Sequence, residues 1–124
     1  MAALPLDGAP QNEMILSQVA QGVQESGTSY FTGIAFYNPN SGPITVTLDV
    51  YSEQGFHTGN GTVALGPGER LSRTLPQLIP EFGQQMRGYI HMAAKGGPVI
   101  AFGLFGEAAS LRFLAAIPPQ PILR

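Results

Sequence analysis

Apolar and polar residues alternate strictly along Ile44–Tyr51, ITVTLDVY. Ile44, Val46, Leu48 and Val50 fall on one face; Thr45, Thr47, Asp49 and Tyr51 fall on the other. Successive side chains of a strand point to opposite sides, so this run predicts an antiparallel strand with one dry and one wet face. A one-residue slip would turn four aliphatic side chains into water, which specifies the register. Further short apolar runs lie at residues 14–20, 30–37, 70–75, 88–93, 99–105 and 111–117, with a weaker pair at 56–58 and 61–65. The 16 glycines and 11 prolines mostly fall between these runs, as turn punctuation does. Four turns follow from residue chemistry, at 38–43 (NPNSGP), 52–55 (SEQG), 66–69 (GPGE) and 95–98 (KGGP).

On this reading residues 30–56 form a β-hairpin, two strands closed by the tight turn at 38–43. Residues 76–85 are the one helical candidate. Pro80 limits them to a turn or a short 3₁₀ piece crossing between sheets. Gly103, inside a strand pattern, marks a bulge or a close backbone approach. Short runs at this spacing predict an all-β fold, an antiparallel β-sandwich of about seven to nine strands, immunoglobulin-like or jelly-roll-like.

Composition narrows the function. The chain has 124 residues and 44% apolar content, enough for one domain with its own core. It has no cysteine, which excludes thiol catalysis, thiolate metal sites and disulfides. Only 11% of residues are charged, against about 25% in an ordinary soluble domain. The surface must therefore be built from Thr, Ser, Gln, Asn and Gly, which suits an extracellular module or a subunit covered by neighbours. A net charge of -2 with no basic stripe argues against a nucleic-acid partner. No run approaches the ~20 apolar residues of a membrane span, so no membrane insertion is expected. The opening MAALPLDGAPQNE lacks the basic and apolar regions of a signal peptide. An extracellular or cell-surface location would mean that the signal lies outside this sequence.

Candidate chemistry is sparse. His57 and His91 sit in separate strand regions, too few to make a zinc site, so neither a metal nor a cofactor is expected. No serine lies in a Gly-x-Ser-x-Gly elbow, and the acids fall mostly in turns and termini. The glycine-rich stretch at 59–68 lacks the phosphate-cradle pattern; Asn60-Gly61-Thr62 is an N-glycosylation sequon by pattern. No enzyme is expected. Tyrosines remain: Tyr51, on the wet face beside Thr47 and Asp49, and Tyr89, on one face with His91, are candidate glycan contacts.

Several pieces in order resemble a family of uncharacterised β-sandwich modules in large secreted bacterial surface proteins. They are Phe36-Tyr37-Asn38-Pro39, Val46-Thr47-Leu48, Tyr51-Ser52-Glu53-Gln54-Gly55, Leu65-Gly66-Pro67-Gly68, Gly88-Tyr89-Ile90 and Pro98-Val99-Ile100-Ala101-Phe102-Gly103-Leu104-Phe105. The resemblance spans residues 14–118 and implies a structural or binding role, with no catalytic residues to carry over. It leaves an extended N-terminal tail at 1–12, a sandwich domain at 13–118 and a Pro-rich C-terminal tail at 119–124. Leu4, Leu6, Ile122 and Leu123 are the apolar residues of those tails, suited to a neighbour's groove or sheet edge. The expected function is a non-enzymatic extracellular structural module, a surface or filament subunit that assembles as a homo-oligomer or with neighbouring domains of one surface assembly. The alternative is a carbohydrate-binding module using Tyr51 and Tyr89.

Overall fold

The computed structural model describes residues 11–17, 19–23, 29–80, 82–83, 85, 87–107, 112–117 and 120–121. The chain order is β1 (Glu13–Leu16), β2 (Gly22–Val23), β3 (Ser29–Tyr37), β4 (Ile44–Tyr51), β5 (His57–Leu65), β6 (Arg70–Thr74), α1 (Leu75–Leu78), β7 (Tyr89–Lys95), β8 (Ile100–Glu107), β9 (Arg112–Ile117) and β10 (Gln120–Pro121). Eight of these strands have four or more residues, within the expected range, and the other two are two-residue pairings. They form two antiparallel sheets. The first runs β10-β1-β7-β4-β5; the second runs β2-β3-β8-β9, with β6 also paired to β3. This is the sandwich that the alternation predicts. No described helix is long and apolar enough to cross a membrane.

The hairpin expected over residues 30–56 does not form. β3 pairs with β2, β6 and β8 in the second sheet, whereas β4 pairs with β5 and β7 in the first. The turn at 38–43 is an arch from one sheet to the other. Asn38 makes it one: its side chain is fully buried, and Nδ2 donates to the carbonyls of Gly42, Leu65 and Gly66 at 2.9, 3.2 and 2.9 Å. Those bonds tie the arch to the far end of β5. The hairpin that does form joins β4 to β5 through residues 52–56, where Ser52 and Phe56 share a backbone hydrogen bond of 2.8 Å.

Facing residues of the two sheets form the dry layer. Met14, Leu16, Val46, Leu48, Val50, Ile90 and Met92 come from the first sheet, and Ile34, Phe36 and Ala101 from the second. β5 is one continuous strand, where the sequence reads as two short segments. Gly59 and Gly61 interrupt the pattern without breaking the strand, because their bare inner side admits the helical crossover. A Cβ on Gly61 would stand 2.5 Å from the Leu78 carbonyl, and one on Gly59 would stand 3.2 Å from the Phe82 ring. The crossover carries the chain from β6 to β7, hence from one sheet to the other, as expected. Gln77 Oε1 accepts from the Thr74 amide at 2.9 Å at its start.

Gly103 marks a close approach. A Cβ there would lie 2.5 Å from Leu16 Cδ1 across the core. Gly103→Ala is expected to lower stability by about 1–3 kcal/mol through overpacking, read by urea denaturation. A change under about 0.5 kcal/mol would show that Leu16 has room to move.

At the first sheet's edge, β10 pairs with β1, setting Met14 opposite Pro121 and Ile15 opposite Gln120. Within the segment expected as a C-terminal tail, these two residues therefore continue the chain's own sheet. Leu4, Leu6, Ile122 and Leu123 lie outside the described residues.

Candidate functional site

The outward face of the first sheet is its wet side, and the sheet register sets the polar side chains there into rows. One row crosses Tyr89 of β7, Tyr51 of β4 and His57 of β5. The next holds Ile15, His91, Asp49 and Asn60, and the one after it Glu13, Ala93, Thr47 and Thr62. His57 enters the first row only because β5 bulges: the register shifts between Val50 and Tyr51, so Thr58 is skipped. A bulge re-aims side chains in this way. Without it Thr58 would oppose Tyr51 and the imidazole would sit on the other face.

The rings of Tyr51 and Tyr89 stack with centroids 5.1 Å apart and planes 19° from parallel. His57 meets the other side of Tyr51 edge-on at 5.3 Å. Two diagonal pairs brace the rows. His57 Nε2 lies 2.9 Å from Asp49 Oδ1, and His91 Nε2 lies 2.6 Å from Glu13 Oε2. The second pair is the more enclosed, its side chains 27% and 18% exposed. Among the described residues no three His, Asp or Glu side chains are placed to hold a metal ion.

Beyond Tyr89 the surface dips. Leu16 opposes Ile90 at the end of β1, so Ser17, one step on, flanks Tyr89. Ser17, Val19, Glu53, Arg87, Gly88 and Tyr89 line an open depression of about 420 Å³. Arg87 Nη1 and Glu53 Oε2 stand 3.6 Å apart, with both side chains well exposed. Such a loose surface pair holds neither group firmly, so both are free to turn to a ligand. Glu53 rides on the β4–β5 hairpin loop, which also carries Phe56, an exposed large apolar side chain (71%). Chemically the depression offers a ring face, a hydroxyl, a carboxylate and a guanidinium around a shallow floor.

The two tyrosines named from sequence as glycan contacts are thus neighbours. Tyr51 pairs across strands with an aromatic ring on each side, Tyr89 and His57. Sequence reasoning missed the partners of the histidines. Asp49 lies eight residues from His57, and Glu13 lies 78 from His91. Alternation placed Asp49 with Tyr51 and His91 with Tyr89; only strand order brings the four together. Phe56 and Arg87 carry no pattern that would single them out.

The same fold occurs in two solved structures. Thermotoga maritima 1070 superposes with a TM-score of 0.72 at 8% identity, over 93% of this chain and 97% of that one. The Anabaena sensory rhodopsin transducer superposes with a TM-score of 0.62 at 7% identity, over 77% and 89%. At such identities the likeness is one of fold alone. The sequence matches no family model and no curated protein.

Proposed function

We propose that this chain is a non-enzymatic binding module, and that the outward face of its first sheet takes a saccharide. The observation that carries the reading is the Tyr51–Tyr89 stack ending at a depression lined by Ser17, Glu53 and Arg87. A sugar has C–H faces that lie against aromatic rings and hydroxyls that need donors and acceptors around the rim. Binding sites commonly pair an apolar platform with a few placed polar groups in this way. An extracellular or cell-surface location belongs to the same proposal, supported by the low charge content and by the resemblance to secreted modules.

The test is a glycan array followed by calorimetric titration of any hit. Tyr89→Ala and Tyr51→Ala are each expected to weaken binding at least about tenfold, or 1.4 kcal/mol. Each also loses a ring pair that contributes about 0.5–1.5 kcal/mol to stability, so far-UV circular dichroism must confirm the fold. Binding indifferent to both substitutions, or no glycan bound at all, would sink the saccharide reading.

A further inference from the structure

The edges of the two sheets are not alike. β10 and β2 have two residues each, and β10 includes Pro121. β6 carries Arg70 and Arg73, and β9 opens on Arg112. Short length, proline and charge are the devices by which proteins stop an open edge from pairing with another chain. β5 uses none of these three, and its bulge at Thr58 and the crossover that flanks it guard only its first half. It runs for nine residues, HTGNGTVAL, without Asp, Glu, Lys, Arg or Pro, and among the described residues it pairs only with β4. Its first half is flanked by Ile79, Pro80 and Phe82. Its second half, residues 61–65, presents the exposed Thr62 and Ala64, side chains small enough to let a strand come alongside.

We infer that residues 61–65 of β5 form a homodimer edge, pairing antiparallel with β5 of a second copy about a two-fold axis at Val63. A second copy is the occupant because an antiparallel edge is complementary to itself under a two-fold axis, the commonest symmetry of soluble oligomers. The chain's low charge removes the repulsion that would otherwise oppose the contact. An axis at Val63 sets Thr62 of one copy opposite Ala64 of the other. It lies normal to the sheet, so the two five-stranded sheets join into one and their outward faces look the same way. The dimer then presents two Tyr51–Tyr89 platforms side by side. That consequence rests on the proposed saccharide reading; the dimer itself does not. Two sites on one rigid body gain avidity on a repetitive glycan surface by effective concentration alone.

Light scattering behind size exclusion, without glycan, tests the pairing. The wild-type chain is expected at twice its 13.1 kDa mass, shifting to the single-chain mass on dilution. The T62K/A64K variant sets lysine opposite lysine across the axis and is expected to run as a monomer, because like charges directly opposite destabilise a pair. The T62K/A64E variant sets lysine opposite glutamate and is expected to recover the dimer, which separates lost pairing from lost folding. A wild-type monomer at every concentration, a T62K/A64K dimer, or a T62K/A64E monomer would overturn the inference. A monomer that binds glycan sinks the dimer and spares the binding reading; a dimer that binds none does the reverse.

Discussion

Asn38→Ala is expected to lower the free energy of unfolding by about 3 kcal/mol or more, a large share of the 5–15 kcal/mol that holds a domain of this size. The side chain has no exposed surface, and each of its polar atoms is engaged. Nδ2 shares its two N–H groups among three carbonyls, and Oδ1 accepts from the Asn40 amide at 2.9 Å and from Asn40 Nδ2 at 2.7 Å. Truncation to alanine leaves the buried Leu65 carbonyl, and with it the carbonyls of Gly42 and Gly66, short of a donor. Each such group costs about 1–3 kcal/mol. It also cuts the side-chain tie between the inter-sheet arch and the β5–β6 turn, from Asn38 Nδ2 to the Gly66 carbonyl at 2.9 Å, and leaves there only the backbone bonds of Asn38 with Gly68 and Glu69. Urea denaturation of Asn38→Ala against Asn60→Ala, an exposed asparagine on β5, measures the effect. A loss below about 1 kcal/mol at Asn38 would show that water takes over the carbonyls.

Gly88→Ala is expected to be comparably damaging, by about 3 kcal/mol, and to reach the binding face as well. Gly88 has φ +133, a conformation that side chains rarely adopt, and a Cβ there would collide with the Tyr51 carbonyl and Gln85 Nε2. The contact matters because Gln85 Nε2 donates to both the Tyr51 and Arg87 carbonyls, at 3.0 and 2.6 Å. Moving that amide moves the strand ends that carry Tyr51 and Tyr89. Lower thermal stability together with a shifted tyrosine near-ultraviolet dichroism is the expected result. Gly83→Ala serves as the control, since a Cβ there meets nothing within 4 Å. It should be neutral, or slightly stabilising through the unfolded chain. Equal behaviour of the two variants would refute the argument.

How far the sequence could be read follows from which interactions are local. β4 was legible to the residue, since alternation over eight positions reports burial directly. β8, IAFGLFGE, shows no alternation because apolar side chains are buried on both its faces: Ala101 toward the core, Ile100 and Leu104 on the opposite side. The hairpin expected at 30–56 was misplaced because a turn such as NPNSGP is compatible with either a hairpin or an arch. The choice rests on where the Asn38 amide finds acceptors, 27 and 28 residues away. The glycines of β5 misled for a related reason. They interrupt the pattern when read alone, but face the crossover helix once the chain is folded.

The candidate face divides along the same line. That Tyr51 points with Asp49, and Tyr89 with His91, follows from period two within each strand. That the four meet requires β4 beside β7, and that His57 joins them requires the bulge at Thr58.

By itself, then, the order of residues determined that the chain forms short half-buried strands, closes them into a sparsely charged sandwich, and carries no thiol chemistry. Burial is summed over side chains and needs no knowledge of neighbours. Tertiary structure alone decided which strands lie together, which carboxylate each histidine meets, and which strands stand at the edges among the described residues. Backbone groups pair equally well with any strand; only the packed whole selects among the partners.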